Sequence, residues 1–316
     1  MRESGKKRIF APRNPDHGAN GTDRANGVSR GTHARTNKKN ATMKQHSTLL
    51  LALAALLMAG CSHDNPEFST RTMADSLCLY CSDGPDDPWP IYEKKSYTVA
   101  WPAAGTLSAA AQRELMGLCF DDSAAASVED AAQRWLRRIW FTDDESLQGE
   151  VIGAIADTIE HSYVHLQSTC RTDSALATFT VNTESYGAGA AHGFYSSHTL
   201  TVDLESGEVV HLTDLVADTN GLCEAIARAV FDLEANRDVR ECLFDEYQGA
   251  DRMPMPADFF IDSARNGITV SYDLYHIQPY ACGIPSVVLP VFWLSKHVEL
   301  TPYAKRLFGP DSYIEN

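Results

Sequence analysis

In the second half of the chain, apolar and polar residues alternate with period two over residues 162–168, 176–185, 195–204 and 208–212, a spacing that predicts strands. Ser206-Gly207 marks a tight turn between the last two. Upstream the period is helical. Val128, Ala131, Ala132, Trp135, Leu136, Ile139 and Trp140 recur on one face behind Ser127, whose run to Asp130 resembles a capping box. A strand over 96–101 ends at Pro102, a helix is expected over about 108–120, and Val151, Ile152, Ile155 and Ile159 suggest one more short helix. Leu222, Ile226, Ala227, Val230 and Phe231 carry a helix over about 220–234. Asn266-Gly267 then joins predicted strands 258–262 and 268–275 as a hairpin, and 287–291 reads as the last strand. Hairpins mixed with helices, without regular βαβ alternation, predict an α+β fold: an antiparallel sheet with packed helices, in a smaller N-terminal part (91–160) and a larger C-terminal part (161–300), followed by a tail (301–316).

The start of the chain is of another kind. Residues 43–60 have a short basic head and an aliphatic run, Ser47 to Gly60, ending Met58-Ala59-Gly60-Cys61, which is a lipoprotein signal peptide with its lipobox. The run is shorter than the roughly 20 residues that cross a bilayer, so the membrane is met through lipid on Cys61. Ser62 is not the Asp that retains lipoproteins at the inner membrane in enteric bacteria, so an outer-membrane protein facing the periplasm or the cell surface is expected. Residues 1–42 carry ten Lys or Arg against three acids and almost no apolar periodicity; they read as disordered sequence ahead of the true start at Met43. Residues 61–90, polar and with Pro66, Pro85, Pro88 and Pro90, read as the tether.

Removing the first 61 residues changes the charge. Of the 27 basic and 42 acidic residues, 16 and 39 remain, so the mature chain stands near −23. Such a surface repels nucleic acid and anionic lipid and steers a basic partner. Seven cysteines follow Cys61, an odd number that leaves at least one unpaired, and the sequence does not set the pairing. Cys78-Leu-Tyr-Cys81 precedes an acidic turn instead of a helix N-terminus, and no second pair follows at metal spacing, so neither redox catalysis nor zinc is expected of it.

Several motifs in order carry a resemblance: the start at Tyr97 to Pro102, the loop Tyr186-Gly-Ala-Gly-Ala-Ala-His192-Gly193, the hairpin Val202 to Gly207 leading into Leu212-Thr-Asp-Leu215, and Pro279-Tyr-Ala-Cys-Gly283 before Val287-Val-Leu-Pro290. Over about 91–300 the chain resembles the extracytoplasmic domain shared by RsiV-type anti-sigma factors and the N-terminal part of PdaC-type peptidoglycan deacetylases. The resemblance implies a two-piece α+β recognition module, and a lysozyme as ligand in the RsiV-type case. It departs from the first in lacking a cytoplasmic sigma-binding segment and from the second in lacking a deacetylase domain.

The candidate chemistry is accordingly one of binding. In the loop 186–193, Gly187, Gly189 and Gly193 permit close backbone approach, with Tyr186 and His192 beside them; the loop is either a locked turn or a ligand contact. Tyr272, Tyr275 and Tyr280, with Phe292 and Trp293, are either a binding surface or core. His161 and His165 lack the acid between them that a helical metal pair carries, and Tyr163, His165 and Gln167 against Val164 and Leu166 fit the two faces of a strand. Ser196, Ser197 and His198 lack a nucleophile elbow. Paired carboxylates such as Glu184 and Asp203 could face each other on strands and, with His192, serve the alternative function, a hydrolase of cell-wall or surface glycans. The expected function is a non-catalytic, lipid-anchored binding module for a lysozyme-like basic protein or a cell-wall glycan, with no cofactor, no metal ligand and no catalytic residue.

Overall fold

The computed structural model describes residues 68–82, 87–141, 149–173, 175–262 and 266–313. The segment read as a signal peptide (43–60), Cys61 and residues 1–42 lie outside them. Among the described residues ten strands run in chain order: β1 (Thr70–Cys81), β2 (Ile91–Pro102), β3 (Glu150–Ile152), β4 (Ser162–Thr172), β5 (Leu176–Tyr186), β6 (Phe194–Asp203), β7 (Val209–Val210), β8 (Asp258–Asp262), β9 (Gly267–Ser271) and β10 (Ser286–Pro290). The helices are α1 (Ala109–Phe120), α2 (Val128–Arg137), α3 (Leu212–Leu215), α4 (Thr219–Asp232), α5 (Arg237–Cys242), α6 (Val291–Leu294) and α7 (Pro302–Phe308). A seven-stranded sheet has the order β3-β1-β2-β4-β5-β6-β7, antiparallel except where β2 runs parallel to β4; β10-β9-β8 form a second, antiparallel sheet. The fold is α+β. No helix among the described residues is long and apolar enough to cross a membrane.

Helix ends follow the local sequence. The Ser108 and Ser127 hydroxyls accept from the amides of Ala111 and Asp130, and Asp218 accepts from those of Asn220 and Gly221. In α2, Glu129 and Asp130 sit in the first turn and Arg134 and Arg137 in the last, each sign at the favourable end of the helix dipole. The buried stripe of α2 (Val128, Ala131, Ala132, Trp135, Leu136) and that of α1 pack on one face of the large sheet, against Val99, Leu166, Phe179 and Leu200. A second core gathers Leu222, Ile226 and Val230 of α4 with Ile268 and Val270 of β9 and Val287 and Leu289 of β10.

The helix-covered face buries two ionisable side chains that interact electrostatically. Glu93 and Lys95, both fully buried, stand two residues apart on β2. Lys95 donates to the carbonyl oxygens of Trp135 and, at 2.9 Å, Arg138, with its Nζ 4.2 Å from the Trp135 ring centroid. Glu93 Oε2 accepts from the Trp140 amide at 3.0 Å. Burial lowers the Lys95 ammonium to about 7 against the attraction of Glu93, and burial likewise raises the Glu93 carboxyl.

Four sequence expectations are corrected. The tether expected over 61–90 gives way at Thr70 to β1, which pairs with β2 along its whole length. The helix expected around Val151–Ile159 is instead β3 followed by turns: Val151 and Ile152 are β-branched and add to the edge of β1, where Gly149 lies so close that a Cβ would stand 2.8 Å from Ile139 Cδ1. The strand expected over 268–275 ends at Ser271, because Asp273 opens a turn. The segment read as a tail from residue 301 contains α7, begun by the Thr301 cap and Pro302 and anchored by the fully buried Ala304.

Candidate functional site

The face of the large sheet away from α1 and α2 is built by strand alternation from the residues that do not enter the core. The register places Tyr163, His165 and Gln167 of β4 beside Tyr186, Glu184 and Asn182 of β5, and these beside Tyr195 and Ser197 of β6. On β2, Ser96 lies opposite His165, and its hydroxyl meets the imidazole Nδ1. Tyr163 and Tyr186 stack with centroids 5.8 Å apart, and the Tyr163 hydroxyl donates to Glu184 Oε1 at 3.0 Å. Burial, reinforced by Glu184, raises the Tyr163 hydroxyl; burial also lowers His165, against the pull of Glu184.

The loop 186–193 joins β5 to β6 at the rim of this face, held from below. Glu160 accepts from the Gly189 amide at 2.8 Å, and Ser162 accepts from that of Ala188 at 3.0 Å. Gly189 has φ +79°, which favours glycine. A Cβ on Gly193 would stand 3.0 Å from the Ser185 carbonyl oxygen, so the glycine there is a matter of space.

Onto this loop folds the turn region after β9. The His192 ring stacks on Tyr280 at 4.5 Å, Tyr275 lies 5.7 Å from Tyr280, and Tyr195 meets Tyr280 edge-on at 5.6 Å. The Tyr280 hydroxyl donates to the Gly193 carbonyl at 2.8 Å, across 87 positions of sequence. A disulfide, Cys242–Cys282, ties the 3₁₀ turn carrying Tyr280 to the end of α5. Tyr275 is 46% exposed and sits at φ +64°, the left-handed region that a bulky side chain rarely adopts. It occupies the third position of the Asp273–His276 turn, whose closing bond runs from the His276 amide to the Asp273 carbonyl.

Of the eight ligand-binding candidates read from sequence, the structure thus brings Tyr186, Gly187, Gly189, His192, Gly193, Tyr275 and Tyr280 to one rim and removes Tyr272. That ring is 1% exposed within the second core, and its hydroxyl donates to the Pro254 carbonyl at 3.0 Å. Trp293 and Phe292 also pack on that core. Tyr195, which completes the cluster, was not among the sequence candidates; the strand register that pairs it with Glu184 is the signal that places it on this face.

The Glu184–Asp203 pair considered for a hydrolase does not form. Glu184 is paired with Tyr195 and Asp203 with Leu176, eight positions along β5 and thus about 27 Å away at the rise of a strand. Asp203 is occupied in its own turn: burial works to raise its carboxyl, but donors from Ser206, Tyr303 and Glu205 hold it below the usual value. Ser197 belongs to the open face, whereas Ser196 and His198 project from the other side of β6. His198 is engaged by Asp258, its Nδ1 2.7 Å from Asp258 Oδ2.

Two further features border the face. Between it and the small sheet lies a cleft of about 220 Å³ lined by hydroxyls, among them Thr178, Thr180, Ser197, Thr199 and Ser286, with Arg171 at its margin. At the β6 edge, His198, Asp258 and Asp273 place one ligand atom each within 4.8 Å of one another. These three residues share no sequence motif, and none of them is expected as a metal ligand from the sequence.

The fold and this rim define an α+β protein with an exposed aromatic, acid-flanked sheet face. No family profile and no curated protein matches the chain. Among solved structures it is similar to a DUF3298 family protein from Pseudomonas aeruginosa PAO1 (14% identity, TM-score 0.43). It is also similar to a DUF3298 family member from Bacteroides fragilis NCTC 9343 (15% identity, TM-score 0.47). Each likeness covers 75% of this chain and 96% of the other. At such identities and TM-scores neither likeness assigns a function.

Proposed function

We propose that this is a lipid-anchored cell-envelope protein whose folded body is a non-catalytic binding module, and that the aromatic rim receives a basic protein of the lysozyme kind. The observation that carries the reading is the Tyr195/Tyr275/Tyr280/His192 stack: large rigid rings, one of them held exposed in a strained backbone, are the side chains that dominate protein interfaces. Glu160 and Glu184 flank the rings, and a mature charge near −23 favours a basic partner. The resemblance to RsiV-type extracytoplasmic domains supports a lysozyme as the first ligand to try. The lipobox ending at Cys61 supports attachment to the envelope, at the outer membrane.

The test is capture from envelope extract by the chain released with Cys61→Ser, run beside the same chain carrying Tyr280→Ala. A basic protein retained by the first and lost by the second supports the module. Equal retention by both places the contact elsewhere and overturns the assignment of the rim. Retention of peptidoglycan fragments in place of protein makes the occupant a glycan.

A further inference from the structure

We infer that His198, Asp258 and Asp273 form a divalent transition-metal site that clips the turn bearing Tyr275 to the edge of the large sheet. The three residues come from separate elements: β6, the first residue of β8, and the turn after β9. Their ligand atoms already lie within 4.8 Å of one another, and His198 Nδ1 to Asp258 Oδ2 is 2.7 Å. An ion bonded at about 2.0–2.2 Å to imidazole nitrogen and carboxylate oxygen needs donors roughly 3.0–3.5 Å apart, so shifts of about 1 Å close the site. The His–Asp pair is preformed. Its side chains are 28% and 11% exposed, and Asp258 Oδ1 also accepts from the Thr199 amide at 3.3 Å, which fixes the carboxylate. Asp273 is the exposed third member of the cluster.

The donor set selects the metal class. One imidazole with two carboxylates suits Zn²⁺, Co²⁺ or Mn²⁺ and is poor for Ca²⁺, which takes six to eight oxygens. Three protein ligands leave a coordination position for water or for a partner's side chain. Asp273 opens the turn whose third residue is Tyr275, so a bound ion fixes the strained ring in place. The site stands apart from the binding-module reading, and its failure leaves that reading intact.

The experiment uses the full chain, purified in detergent without an affinity tag and stripped with chelator. Zn²⁺ is followed by calorimetry and thermal unfolding, and Co²⁺ by absorption. One Zn²⁺ per chain is expected, with a raised unfolding midpoint and Co²⁺ d–d bands lacking the sulfur charge-transfer band that thiol ligation would give. Asp273→Asn, at an exposed position, is expected to leave the metal-free unfolding midpoint unchanged and weaken Zn²⁺ at least tenfold; His198→Gln is expected to abolish binding. Affinity unchanged in both variants, a Co²⁺ spectrum of thiolate type, no binding at millimolar Zn²⁺, or equal binding of Ca²⁺ would each overturn the site.

Discussion

Replacing Tyr275 separates what its ring does from what its backbone costs. At φ +64° a residue with a Cβ is disfavoured by about 1–2 kcal/mol, whereas glycine is not. Tyr275→Ala and Tyr275→Gly both delete the ring, so the loss of its contact with Tyr280 at 5.7 Å cancels between them. Glycine forfeits about 0.4–1 kcal/mol through the freer unfolded chain. The left-handed backbone more than offsets this, leaving the Gly variant about 1 kcal/mol more stable than the Ala variant, the reverse of the usual order. For a chain of this size that is about 2–4 °C in Tm. Side-by-side thermal and urea unfolding of the two variants measures it. Partner capture should fall equally in both, because the ring is gone from both. An Ala variant as stable as the Gly variant would refute the strain, and with it the inference that tyrosine is held there for its contacts.

Three other outcomes follow from the same structure. Cys61→Ser should abolish incorporation of a fatty-acid probe and move the protein to the soluble fraction; persistent labelling would refute lipidation at this residue. The Lys95 ammonium, lowered to about 7 in the folded state from 10.5, binds its proton less well than in the unfolded chain, so its contribution makes stability rise with pH from about 7 towards 10.5. Lys95→Met should remove that rise in urea titrations and destabilise by about 3–5 kcal/mol by leaving Glu93 buried without its partner, and adding Glu93→Gln should recover much of the loss. Paired Cys242→Ser and Cys282→Ser should cost up to about 4 kcal/mol in urea unfolding, the chain-entropy value for a closed loop of 40 residues, and weaken capture by freeing the Tyr280 turn.

What the chain reveals before folding depends on how local the signal is. Helix α2 is legible because cap, charge order and apolar stripe all fall within residues 127–137. Strand β1 is not, because it lies near the sheet edge with half of its residues exposed: Arg71 and Asp75 interrupt the apolar phase of Met73, Leu77 and Leu79, and prolines on both sides suggest a tether. The halves of the rim were visible separately, as a glycine-rich loop and a tyrosine-rich stretch. Their meeting, sealed by Tyr280 on Gly193, is set by the packing of β8 against β6 and leaves no trace in local spacing. Tyr272 is separated from Tyr275 for the same reason: one strand-end residue turns into the core, and three residues later the chain has reversed in a turn. His198, Asp258 and Asp273 come from positions 60 and 15 residues apart and meet only in the folded chain.

The central claim is that the aromatic rim receives a basic protein under the attraction of an acidic surface. Its most direct test is the association kinetics of the Cys61→Ser chain with a purified lysozyme, at low and at physiological ionic strength, where screening shortens to about 8 Å. Binding is expected with an association rate that falls at least tenfold between the two, and Tyr280→Ala should weaken affinity by about 2 kcal/mol, or roughly thirtyfold, chiefly through faster dissociation. No binding at low salt, or binding insensitive to both salt and Tyr280→Ala, would contradict the account.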